Sequence, residues 1–206
     1  MTDAIQQAIP SARGPQDHAI RDQILGAAHG HFRRHGYGKT TVSDLARDIG
    51  VSKAYIYKFF DSKQGIGQAI CATLLDQILA EVRKAVDESD SATQKLRMLI
   101  ETMTSATLTV CFTDRQLFDL AVHSCADKWP SSQAYIAQIL SILAEIIAEG
   151  RRTGEFERKT PLDETCRAIA GAMQPFVNPV MLQHNLDDLT RGVNEATSLI
   201  LRSLAP

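Results

Sequence analysis

The chain has 206 residues, 44% hydrophobic and 22% charged, enough for one or two domains with a sizeable core and a balance that excludes wholesale disorder. Its net charge of −2 divides unevenly: residues 1–70 hold nine Lys/Arg against six Asp/Glu (+3), and residues 71–206 hold thirteen against eighteen (−5). Cys71, Cys111, Cys125 and Cys166 are scattered without a C-x-x-C, which argues against a disulfide framework, and neither a secretory pattern nor an apolar run of about 18 residues is present, so a cytoplasmic protein with no membrane partner is expected.

Residues 1–16, with Pro10, Gly14 and Pro15, lack periodicity and read as a mobile arm. From Gln16, apolar Ile20, Ile24, Ala28 and Phe32 recur every fourth residue, Arg33 and Arg34 complement the helix dipole in the last turn, and Gly36 ends the helix. Thr41 with Asp44 is a capping box; Leu45, Ala46 and Ile49 give the next helix one apolar face, and Gly50 stops it. Ser52 caps a further short helix that buries Ile56 and Phe59 or Phe60. Small Ala46 at the crossing and Gly50 at the turn make this a helix-turn-helix, whose second helix enters a DNA major groove.

Ser62 caps a helix of about 25 residues with Ile70, Leu74, Ile78, Val82 and Val86 in register, a rod of about 38 Å. Gly65 and Gly67 lie in its first turns, at up to about 1 kcal/mol each relative to alanine, and point either to close packing or to a pliant start. Further helices follow through Leu96–Val110, Leu117–Val122, from Pro130 through Ile147, from a Thr160 cap through Phe176, and through Leu186–Ile200; Pro175 and Pro179 should bend or end the penultimate one. The chain is all-α with about nine helices, divided into an arm (1–16), a helix-turn-helix unit (17–64) and a C-terminal helical domain (65–206).

The run Gly50–Lys63, with its Gly-Val-Ser turn followed by Tyr57, Phe60 and Lys63, resembles the recognition-helix pattern of the tetracycline-repressor (TetR) family. Upstream, Ile24–Phe32, His35-Gly-Tyr and Thr40-Thr41 are similar to that family's first helix and its link to the second. The resemblance spans residues 18–70; beyond it only the all-helical form and Gly150-Arg-Arg-Thr-Gly-Glu-Phe156 are similar. It implies a homodimeric, ligand-responsive repressor on a two-fold symmetric double-stranded DNA operator. By that resemblance Lys53 reaches guanine, Ala54 a thymine methyl and Tyr55 the groove, beside the cap Ser52. Tyr57, Lys58, Lys63, Thr41 and Ser43 meet phosphate. Phe59 stands where many members carry His, and Tyr55 is bulkier than usual.

The resemblance also implies dimerisation through the last two helices, with Ile169, Met173, Leu189, Val193, Ala196 and Ile200 at the interface, and a small-molecule effector among the middle ones. Met103, Thr107, Phe112, Phe118, His123, Trp129, Met173, Gln174 and Phe176 suit an apolar ligand bearing one or two polar groups, although each alone also fits an ordinary core. His31 and His35 are spaced i, i+4 near His29, but no acidic residue lies between them, so packing or surface roles are expected and no metal. With no G-x-S-x-G, phosphate-cradling glycine loop or C-x-x-C, neither enzyme nor cofactor is expected. The alternative is a DNA-binding structural or interaction protein of the same fold without an effector.

Overall fold

The computed structural model describes residues 15–113 and 115–206, and within these every side chain except those of residues 15, 16 and 112–116. The expected arm lies outside the described residues save Pro15 and Gln16, which open α1 (Pro15–His35). There follow α2 (Val42–Ile49), α3 (Lys53–Ile56), α4 (Lys63–Asp87), α5 (Ala92–Leu108), α6 (Arg115–Ala126), α7 (Pro130–Thr153), α8 (Leu162–Val177), α9 (Pro179–Leu182) and α10 (Leu189–Ser203). A π-helical turn, Thr109–Thr113, joins α5 towards α6. No strand occurs among the described residues, and the fold is all-α.

The local signals hold at most helix ends. Thr41 and Asp44 form the reciprocal capping box, with Thr41 N–H donating to Asp44 Oδ2 (3.0 Å) and Asp44 N–H to Thr41 Oγ1 (3.2 Å). Gly50 takes the left-handed conformation (φ 77°, ψ 29°) that lets α2 stop at Ile49 and α3 begin at Lys53. Ser52 and Ser62 accept from Tyr55 N–H (3.1 Å) and Gly65 N–H (3.0 Å).

Four expectations need correction. α8 begins at Leu162 after Pro161, with no side-chain cap from Thr160. Pro175 lies inside α8 and does not end it; the helix stops at Val177, two residues before Pro179. Leu186 stands outside α10, exposed. Finally, α7 is long and apolar enough to cross a membrane by length and composition, which a scan for an unbroken apolar run misses because Gln138, Ser141 and Glu145 interrupt it. Its Ile139, Ile142, Leu143, Ile146 and Ile147 are buried in the protein core.

Two apolar clusters organise the molecule. The first joins α1, α2 and α3 to Ile66, Ile70 and Cys71 of α4 and to Leu120 and Trp129. The second fills the space among α4, α5, α7, α8 and α10. α4 therefore serves both cores along one continuous rod.

Candidate nucleic-acid interface and ligand cavity

The turn between α2 and α3 presents a short polar face. Ile56 and Phe60 point into the first core, while Ser52, Lys53, Ala54, Tyr57 and Lys58 are exposed, as are Thr41 and Ser43 at the head of α2. Tyr57 is 42% accessible although its neighbour Ile56 is fully buried, so its ring is held at the surface. Tyr55 is half-buried and packs edge-on to Phe59 (5.5 Å between centroids), so Phe59 supports the reading helix from inside. The Lys53 ammonium lies 5.7 Å from the Tyr57 ring and that of Lys58 5.6 Å from the Tyr55 ring. The face thus combines two cations, two phenols and a methyl group, chemistry that suits groove edges and phosphates together.

Lys63 departs from the expected phosphate contact. Its ammonium turns inward, donating to the carbonyls of Tyr37 (3.0 Å) and Gly38 (3.4 Å) and lying 4.3 Å from the Tyr37 ring. It ties the start of α4 to the α1–α2 link. Gly38 N–H donates in turn to Asp119 Oδ2 of α6 (2.7 Å), and His123, one turn on, packs against Tyr37 (5.0 Å). Burial, helped by the Asp127 and Asp119 carboxylates, raises the Tyr37 phenol above its ordinary value, so it stays a neutral packing group. His31 joins α1 to α2, with Nδ1 3.2 Å from Thr40 Oγ1 and Nε2 3.3 Å from Asp48.

Between the long helices lies a cavity of about 210 Å3, walled by α4, α5, α6, α7 and α8. Met103, Thr107, Met173 and Gln174 line it as expected. Phe118, His123, Trp129 and Phe176 do not, and the Phe112 side chain lies outside the described residues. The helical period decides α6: Leu117, Leu120, Ala121 and Ser124 share the cavity face, which leaves His123 on the side of the α1–α2 link. Trp129, fully buried just before α7, belongs to the first core against Tyr37 (5.4 Å) and Gly67. Phe176 packs over Gly192 of α10. Sequence reasoning missed Leu74, Leu75 and Ile78 of α4, Tyr135 and Ile136 of α7, and the Ser124–Ser132 pair. Their apolar spacing was visible, but nothing local separates a cavity wall from a filled core.

The interface expectation also changes. Ile169, Met173, Leu189, Val193 and Ile200 are buried in the chain's own second core, with Ala196 packed against it. An apolar stripe must first be satisfied within its own subunit. The outward faces of the same two helices carry Ala168, Gly171 and Ala172 on α8 and Leu199, 62% exposed, on α10.

Residues 24–70 match the family model for bacterial regulatory proteins of the tetR family, and residues 92–196, half of the chain, match that for the tetracyclin repressor-like C-terminal domain. The chain belongs to the TetR family. It is a transcriptional regulator with a DNA-binding helix-turn-helix. The chain is 32% identical over 68 residues to the HTH-type transcriptional regulator AlkX of Mycobacterium tuberculosis, a match to 33% of this chain and 32% of that protein. It is 23% identical over 186 residues to the fatty acid metabolism regulator protein of Bacillus subtilis, covering 88% of this chain and 94% of that one. The solved structure of the transcriptional regulator FadR from Bacillus subtilis in complex with stearoyl-CoA superposes with a TM-score of 0.66 at 21% identity, covering 89% and 98% of the two chains, and shares the fold.

Proposed function

We propose that this TetR-family member is a homodimeric cytoplasmic repressor that sits on a two-fold symmetric operator and is released when a long, largely apolar ligand fills the cavity. The observation that carries the reading is the cavity itself. Its lining is mostly apolar, and two of its walls, α4 and α6, also hold the α1–α2 link through Lys63 and Asp119. Similarity to a fatty acid metabolism regulator and to a fold that holds stearoyl-CoA supports a straight acyl chain as the buried part. Thr41, Ser43, Ser52, Lys53, Ala54, Tyr55, Tyr57 and Lys58 are the proposed DNA contacts. The proposed dimer face is the outward side of α8 and α10 around Ala168, Gly171, Ala172 and Leu199.

The test is to select sites from random DNA and follow binding by fluorescence anisotropy. The expected site is two-fold symmetric, Lys58→Ala lowers the log–log salt slope by about one, and Lys53→Ala changes base preference at a fixed position. Stearoyl-CoA should weaken operator binding, and Leu199→Asp should yield monomers. Selection of no symmetric site would overturn the repressor reading. Operator binding that no long-chain ligand alters would favour the effector-free alternative.

A further inference from the structure

The apolar cavity holds one concentrated polar feature, where α4, α6 and α7 meet beside the first core. Ser124 and Ser132 are 2% and 7% exposed, with their hydroxyls in close contact. Cys71 Sγ lies 3.3 Å from Ser124 Oγ. This row has three X–H donors, and its two internal links use two of them. The third reaches only the Ser124 carbonyl, at 3.5 Å from Ser132 Oγ, the outer limit of a hydrogen bond. Of the other polar lining groups, Thr107 donates to the Val177 carbonyl (3.4 Å) and Asn178 Nδ2 to Gln174 Oε1 (3.3 Å), while the Tyr135 hydroxyl, kept neutral because burial raises it, is a further uncharged donor in the same cavity. The serine row is therefore left with one donor and free lone pairs facing apolar space.

None of the described lining residues is Lys, Arg, His, Asp or Glu. Burial raises the thiols of Cys111 and Cys125, so the neighbouring groups are neutral as well. An ionised carboxylate placed here would lose its hydration with no cation among the described lining residues to meet it, at several kcal/mol. A hydroxyl or carbonyl oxygen would lose far less and would complete the row.

We propose that Ser124 and Ser132, backed by Cys71, form a head-group subsite that selects ligands whose buried end is an uncharged oxygen group, an alcohol, ketone or ester-type carbonyl, over those ending in an ionised carboxylate. The proposal rests on the ligand-cavity reading above and adds which end group enters. Because Cys71 lines the cavity and also belongs to the core around α1–α3, the head group would sit beside the DNA-reading unit.

The experiment is calorimetric titration of the full chain with dodecan-1-ol, dodecan-2-one and dodecanoate. At pH 8 the alcohol and ketone should bind at least about tenfold more tightly than dodecanoate. Dodecanoate affinity should rise about tenfold for each pH unit lowered between pH 8 and 6, since only the neutral acid enters, while the alcohol profile stays flat. Ser132→Ala should narrow the alcohol-to-carboxylate ratio several-fold. The pH profile of the unaltered protein tests the proposal even if that variant does not fold. Equal binding of alcohol and carboxylate at pH 8, a flat dodecanoate profile, or an unchanged ratio in folded Ser132→Ala would overturn the subsite while leaving the cavity reading intact. Binding of none of the three would overturn both.

Discussion

Two glycines two residues apart in α4 should respond to alanine with opposite signs. A Cβ on Gly67 would lie 2.8 Å from both Trp129 Cη2 and Tyr37 Cε2 and 3.1 Å from Trp129 Cζ3. Neither ring can yield cheaply, since both are buried and they pack on each other at 5.4 Å. Overpacking of this kind costs about 1–3 kcal/mol, offset by up to about 1 kcal/mol of regained helix propensity. Gly67→Ala should therefore destabilise by about 1–2 kcal/mol. At Gly65 the nearest atom to an added Cβ is Ser62 Oγ at 3.7 Å, an ordinary contact, so Gly65→Ala keeps the propensity gain and should stabilise by up to about 1 kcal/mol. Together the variants should differ by about 2–3 kcal/mol, or about 5–10 °C in Tm for a chain of this size.

Urea denaturation and calorimetry without DNA would measure this directly. Gly67→Ala at or above wild-type stability would show that Tyr37 and Trp129 move freely, and the close-packing argument would fail. The same variants address the pliant-start expectation. With Gly67 explained by packing, Gly65→Ala should leave unchanged the ratio of operator affinities with and without ligand, and a shifted ratio would restore the hinge.

Gly150→Ala should destabilise by about 1–3 kcal/mol in the same assay, because the buried Phe156 ring occupies the place of the added methyl; a neutral result would refute that packing. Glu155 accepts from Ala92 N–H (3.1 Å) and Thr93 N–H (3.0 Å) at the head of α5, so Glu155→Ala should cost about 1 kcal/mol at pH 7. The Thr93 N–H above all holds the Glu155 carboxyl below its ordinary value, so its contribution is complete above that ordinary value, 4.5, and is lost as pH falls through the lowered one. Wild type and variant should converge in acid, and a gap that persists there would contradict the assignment. Burial pushes the Cys111 thiol up to about 12, so at pH 8 its alkylation by iodoacetamide should run at least about 100-fold slower in the folded than in the unfolded protein; comparable rates by mass spectrometry would count against burial.

The helix-turn-helix is legible in the sequence because its determinants are local. Thr41 and Asp44, Gly50, and Ser52 with Tyr55 each act within three or four residues, and each forms the bond that its spacing implies. What the sequence hides is long-range. Lys63 follows the family pattern, yet its ammonium is claimed by carbonyls about 25 residues earlier in the chain. Trp129 looks like pocket material beside an apolar helix, but it closes the first core from 62 residues beyond Gly67. The stripes of α8 and α10 are apolar enough for an interface and are used up inside the subunit. The π-helical turn at Thr109–Thr113 and the single turn of α9 carry no periodicity for a sequence to display.

If a ligand fills the cavity as proposed, the contacts around α6 offer a route to the DNA-reading unit that needs no flexible lever. One side of α6 lines the cavity with Leu117, Leu120, Ala121 and Ser124. Asp119 and His123 hold the α1–α2 link, by the Gly38 N–H at 2.7 Å and the Tyr37 ring at 5.0 Å. The carbonyls of the same Tyr37 and Gly38 are gripped by Lys63 at the first residue of α4, another cavity wall. The link between α1 and α2 is thus bonded to two walls. A ligand shifts DNA affinity only as far as it binds two arrangements unequally, and regulatory couplings of about 1–3 kcal/mol suffice. A hydrogen bond to a carboxylate contributes about 1.5–3 kcal/mol when protected, and less here because the Asp119 side chain is 40% exposed. Even so reduced, that one bond is of the order of such a coupling, so under the proposed ligand response we expect Asp119→Asn to change the ratio of operator affinities with and without ligand more than Gly65→Ala does, and an unchanged ratio would refute the route through Gly38.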